Sequence, residues 1–162
     1  MPRKPRKNRN SSGEPEERRV RRARIMARKL RGAALNSARS LVEIGKEERA
    51  MAQELGKLRD ELKKISGKSG PTAEQMQISK IREISGMVSR LLGRSDAISI
   101  KLKPLGEWLK ALHESGQYAE KHAGTEASFL RISAQLISLR AAAKSLQDVC
   151  QKRIEPHRGG WN

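Results

Sequence analysis

The chain has 162 residues and a formal net charge of +17, with 35 Lys/Arg against 18 Asp/Glu. Hydrophobic residues make up 36% and aromatic residues 2%. The shortage of aromatic side chains argues against a β-sandwich or barrel, and the abundance of Ala, Leu, Arg, Lys, Glu and Gln favours helices. The length predicts one domain with extensions, and the basic excess predicts a polyanionic partner.

The cysteine content favours a reducing compartment, and the sequence pattern argues against the common targeting segments. The single cysteine, Cys150, excludes an intramolecular disulfide. The N-terminus lacks the apolar region of a secretory signal, and no run of 18 apolar residues predicts a transmembrane helix. Pro2, Pro5 and the nearby glutamates argue against a mitochondrial presequence, which is helical and poor in acids.

Residues 1–17 are predicted to form a disordered basic arm, because they contain three prolines, one glycine and almost nothing apolar. Two basic clusters, separated by residues 8–17, resemble a bipartite nuclear import signal. Its residues are Arg6, Lys7, Arg18, Arg19, Arg21 and Arg22. We therefore expect an import receptor as a possible partner and a nuclear location (the host nucleus if the protein is viral), with the cytoplasm as the alternative.

Residues 18–66 are predicted to form one long helix, because apolar residues recur at alternating steps of three and four. The positions are Val20, Ala23, Ala27, Leu30, Ala34, Ser37, Leu41, Ile44, Glu48, Met51, Leu55, Leu58, Leu62 and Ile65. From Leu41 to Ile65 this seam has large side chains, except at Glu48, and is predicted to form the core or an oligomer interface. From Val20 to Ala34 it is mostly alanine, and we expect a partner to order that half.

Residues 72–154 are predicted to be helical, after a Gly- and Pro-containing turn at 66–72. Pro104 predicts a kink or break, which gives helices at about 73–103 and 104–114. A partly helical linker is expected at 114–128. Thr125 is predicted to cap a third helix at about 125–153, and 155–162 to be a flexible tail. The expected fold is therefore all-α, as a helical hairpin or three-helix bundle.

No catalytic or metal site is predicted. His113, His122 and His157 have no metal-ligand spacing with one another or with Cys150, and no phosphate-binding glycine loop follows a strand. We predict a protein that is not an enzyme and needs no metal or cofactor. Cys150 is expected to be a small buried residue on the stripe of the third helix.

The arginine-rich start of the long helix predicts binding to nucleic acid. Guanidinium groups make charge-assisted bonds to phosphates, and the shortage of aromatics argues against base stacking, so sequence specificity is expected to be low. RNA is slightly favoured over DNA, because the base-reading core of a bZIP protein is missing. The predicted contacts are Arg18, Arg19, Arg21, Arg22, Arg24, Arg28, Lys29 and Arg31.

Other functions remain open. A membrane-surface helix is disfavoured, since alanine stands where such helices have Trp, Phe or Leu. The main alternative is an adaptor whose helical body binds a protein and whose basic head serves only nuclear import. The segment "ELGKLRDELKKI" resembles the basic coiled coil of delta antigens, and the composition resembles that of small accessory proteins of RNA viruses. Neither resemblance assigns a site; the expectation of a homo-oligomer rests on the seam.

Overall fold

The computed structural model describes residues 13–65 and 71–157, with side chains described for 74–156 of the second range. Within these ranges every regular element is helical, which confirms the all-α prediction. Short 3₁₀ turns at Glu120–His122 and Glu155–His157 flank the last helix. The helices are α1 (Glu16–Arg39), α2 (Leu41–Lys64), α3 (Pro71–Glu114) and α4 (Ala123–Ile154).

The helices form a three-helix bundle in which α1 and α2 together make one rod. Residue numbers rise along α1 and α2 while they fall along the facing part of α3, so the two run antiparallel. The same relation holds between α3 and α4. The cross-helix pairs are Ser37 with Lys101, Glu54 with Arg94, Ser89 with Gln147, and Asp96 with Arg140.

The core consists of the three apolar stripes, covered within one chain. All fourteen positions of the first seam are buried or half-buried. The same spacing predicts a stripe of ten positions from Ile81 to Leu112 and one of seven from Phe129 to Cys150, and all of these are buried or half-buried as well. The large residues of α2 lie between α3 and α4. The seam residues Leu41, Ile44, Met51, Leu55, Leu58, Leu62 and Ile65 therefore belong to an intramolecular core.

The first rod differs from the predicted single helix at its start and its middle. α1 begins at Glu16. The Pro15 carbonyl accepts the first helical hydrogen bond, from the Arg19 N–H at 3.2 Å, and two glutamates in the first turn complement the positive end of the helix. A turn at Ser40 separates α1 from α2. The Ser40 hydroxyl bonds back to the Asn36 carbonyl at 3.1 Å, which loosens the ladder there. The alanine-rich half packs against α3, so the expectation that only a partner orders it is wrong.

Pro104 does not break α3, which runs unbroken from Pro71 to Glu114. A proline in a helix interior costs about 3 kcal/mol. Leu102 and Leu105, on either side of it, are both buried in the same core, so tertiary packing offsets that cost. The predicted division into 73–103 and 104–114 is therefore wrong.

The connection between α3 and α4 is shorter than predicted. Gly116, at a φ of 67°, closes the end of α3, since glycine adopts that conformation without strain. α4 begins at Ala123, so Thr125 lies inside the helix and does not cap it. Of the predicted tail, residues 155–157 form a 3₁₀ turn. The predicted arm at 1–12, the turn at 66–70 and residues 158–162 lie outside the described residues.

Candidate nucleic-acid interface

The basic residues of α1 project from a helix that a narrow apolar stripe holds in place. Ala23, Ala27 and Ala34 are buried where α1 packs on α3. Small side chains at such a contact let two helix axes approach closely. Since α1 contains nine basic and two acidic residues, it has a net charge of +7. Packing therefore fixes the orientation of a strongly charged helix.

All eight predicted phosphate-contacting side chains are exposed. At about 100° per residue, five of them lie within about 60° of the direction opposite the seam. We call these five the outward face of α1; the other three lie closer to the seam. The outward face comprises Arg18, Arg21, Arg22, Arg28 and Lys29, and the three closer to the seam are Arg19, Arg24 and Arg31.

Few acidic groups neutralise this face. Arg22 forms an ion pair with Glu14. Arg19 and Arg22 also share a cleft of about 390 Å³ with Glu107 and Glu114 of α3. Among the described residues, the other members of the face have no ion-pair partner. The unpaired cations of the outward face are Arg18, Arg21, Arg28 and Lys29.

A second group of cations borders a cleft of about 650 Å³ between α1, the end of α3 and the start of α4. Arg28 and Arg31 line it from α1, and Lys121 lines it from the connection to α4. Trp108 and Leu112 supply apolar parts of its wall. Sequence reasoning missed Lys121, because only the fold brings it within reach of α1.

Sequence reasoning also missed a cluster of rings at the α3–α4 corner. His113 stacks on Tyr118 with centroids 3.9 Å apart, and Trp108 meets His122 edge-on at 5.3 Å. Trp108 is only 7% exposed, so its indole fills the corner and does not offer an open stacking surface. The four-residue spacing of Tyr118, His122 and Glu126 was the one available signal.

Glu126 joins the two elements of this corner. The Tyr118 hydroxyl donates to one of its carboxylate oxygens at 2.5 Å, and His113 Nε2 lies 2.8 Å from the other. These two bonds, with Tyr118 contributing most, lower the pKa of Glu126. The hydrogen bond to Glu126 and burial raise the pKa of Tyr118. The corner therefore holds the start of α4 against the end of α3.

Other kinds of site find little support in the described ranges. They contain no group of three or more His, Cys, Asp and Glu side chains placed to hold a metal, and no helix in them is long and apolar enough to cross a membrane. Cys150 is fully buried, as predicted, and burial raises the pKa of its thiol. Comparisons with protein-family models, curated proteins and solved structures find no match.

Proposed function

We propose that this protein binds nucleic acid without catalysis, through the outward face of α1. The observation that supports the proposal is the placement of five exposed cations on one side of a helix that packing holds in place. Arginine favours phosphate because its planar fork donates two parallel hydrogen bonds. Binding is directed to the backbone, with low sequence specificity and a slight preference for RNA.

The dimensions of α1 suit this role. From Arg18 to Arg31 the helix rises about 20 Å. That exceeds the roughly 12 Å width of the B-DNA major groove, so cations along the helix reach phosphates of both strands. Each phosphate contact releases counterions, so affinity falls steeply as salt rises.

The test is fluorescence anisotropy with labelled duplex RNA and duplex DNA at several salt concentrations. The variant replaces Arg18, Arg21, Arg28 and Lys29 with Gln. We expect affinity at low salt to fall about a hundredfold, and the slope of log affinity against log salt to become shallower by about four. Substitution is preferred to deletion of residues 1–31, because α1 packs on α3.

A matched control removes the same number and types of exposed charge elsewhere. Arg82, Arg90, Arg131 and Lys144 are exposed and have no ion-pair partner among the described residues. Replacing them with Gln is expected to leave the salt slope within about one of the wild-type value, since the charges lie on other helices. Equal losses in the two variants, or no binding by the wild type near physiological salt, would refute the proposal.

Self-association and a nuclear location are further parts of the proposal. One chain covers its own seam, so the seam does not require a second copy; sedimentation of the purified protein checks self-association. Of the import signal, Arg6 and Lys7 lie outside the described residues, while Arg18, Arg19, Arg21 and Arg22 lie in α1. Imaging of a fluorescent fusion with and without the four α1 substitutions checks the location.

The adaptor alternative has one observation in its favour. Ile100 on α3 and Ile137 on α4 are 72% and 70% exposed. Exposed apolar side chains of this kind are common at protein interfaces, although scattered ones are also common on monomers. In this alternative the four α1 substitutions change location and leave capture of a protein partner by the helical body intact.

A further inference from the structure

Glu48 is a buried carboxylate with an unsatisfied oxygen. It occupies a seam position of α2, is 4% exposed, and its Oε2 has no hydrogen-bond partner among the described residues. Ser37 is the other polar residue on the seam, and its hydroxyl donates to the Lys101 carbonyl at 2.6 Å. A carboxylate removed from water is costly unless a donor or a cation compensates it. Within the described part of the chain, Ser37 has such a partner and Glu48 Oε2 has none.

The Glu48 side chain lines a cleft of about 490 Å³ between α2 and α4. Small residues leave this space: Ala52 and Gly56 on the α2 side, and Ala134 and Ala142 on the α4 side. A side chain added at Gly56 would meet no atom within 4 Å, so the cleft is open there. A volume of this order is typical of small-molecule sites.

The residues that line the cleft indicate which class of ligand would fit it. Apolar atoms of Leu55, Leu139 and the alanines accept a short alkyl chain, and the Glu48 carboxylate requires a donor, preferably a charged one. A metal ion is a poor fit, because no other His, Cys, Asp or Glu lines the cleft. Arg59 also lines it but lies eleven residues along α2, about 16 Å from Glu48 along the axis.

We propose that the α2–α4 cleft binds a primary alkylammonium group. The ammonium is a compact charge with three donors, one of which bonds to the Glu48 carboxylate, while the alkyl chain lies against Leu55 and Leu139. Because Oε2 is closed off from water in the structure, binding requires the carboxylate to turn toward the cleft. This site is separate from the outward face of α1. It does not depend on nucleic-acid binding.

The test is a titration of the full-length protein with n-butylammonium chloride at constant ionic strength, followed by NMR of alanine methyl groups. We expect saturable shifts at Ala52, Ala134 and Ala142. The neutral isostere n-butanol is expected to give no saturation. The Glu48→Gln variant keeps the shape and removes the charge, and is expected to bind butylammonium at least about tenfold more weakly.

A second variant distinguishes loss of the site from loss of folding. Ala52→Leu fills the cleft and leaves Glu48 in place, and it is expected to abolish the saturable shifts while circular dichroism stays unchanged. Absence of saturation in the wild type would overturn the proposal. So would equal affinity for butylammonium and n-butanol, or unchanged affinity in a folded Glu48→Gln or Ala52→Leu protein.

Discussion

α1 and α2 are consecutive halves of one seam, each 24 residues long, and they differ in both charge and packing. α2 has six acidic and six basic residues, so it is neutral overall, whereas α1 has a net charge of +7. The buried residues of α2 include large apolar side chains such as Met51 and Leu58, while those of α1 are three alanines and a serine. α2 contacts both α3 and α4, and α1 packs mainly on α3.

One half of the rod therefore contributes most to stability, and the other half carries most of the charge. Large side chains between two other helices remove more apolar area from water than alanines against one helix, so α2 contributes more to the free energy of folding. α1 needs only enough burial to stay helical and oriented, and its remaining surface is available for cations. The charged half is joined at Ser40 to the half that buries the larger side chains, and both belong to one core.

The largest expected loss of stability comes from shortening a core side chain of α2. Met51 is fully buried, so Met51→Ala is expected to lower the free energy of unfolding by about 2–5 kcal/mol. Leu30 of α1 is only half-buried, and Leu30→Ala is expected to cost about 1 kcal/mol. Urea unfolding followed by circular dichroism measures both. Equal losses would mean that α1 and α2 contribute alike to one core.

The stripes were predictable because helical periodicity is local and strongly encoded in the sequence. Steps of three and four place residues on one face whatever the partner is. All ten positions predicted for the stripe of α3, from Ile81 to Leu112, are buried. Pro104 lies between two of these positions. The unbroken period therefore indicated the continuous helix better than the local cost of proline did.

Pairwise contacts were not predictable, because they depend on which helix covers which face. The seam marks Ser37 and Glu48 alike as polar interruptions. In the part of the chain that the structure describes, Ser37 has a hydrogen-bond partner and Glu48 Oε2 has none. The ring cluster joins Trp108 to His122, which sequence reasoning had placed in a linker. The identity of the outward face of α1 followed from the seam, whereas the cleft beside it required the position of α4.

A smaller effect is expected from charge repulsion within α1. Several of its cations stand three or four residues apart, as Arg18 does from Arg21 and Arg22, and such like-charge pairs destabilise a helix by about 0.2–0.5 kcal/mol each. The Gln variant at Arg18, Arg21, Arg28 and Lys29 is therefore expected to unfold at a higher temperature than the wild type at low salt. The gain should shrink as salt screens the repulsion.

Thermal unfolding at two salt concentrations measures this gain. The control with Gln at Arg82, Arg90, Arg131 and Lys144 is expected to show less of it, since those charges are spread over α3 and α4. A loss of stability in the α1 variant at low salt would show that the cations support the helix. In that case α1 would contribute to stability through its charges, and it would no longer differ from α2 in the way described above.

The smallest expected effect is a pH dependence of stability at the corner that holds the start of α4 against the end of α3. Because its bonds to Tyr118 and His113 lower the pKa of Glu126, the carboxylate stabilises the fold above its ordinary pKa of 4.5. This contribution is lost as pH falls from there through the lowered folded-state value. Glu126→Gln is therefore expected to unfold more easily than the wild type at neutral pH. The gap should close on acidification, which thermal unfolding between neutral and acidic pH measures. A gap that stays constant with pH would mean that Glu126 acts through packing, and that the ionised carboxylate does not hold the corner.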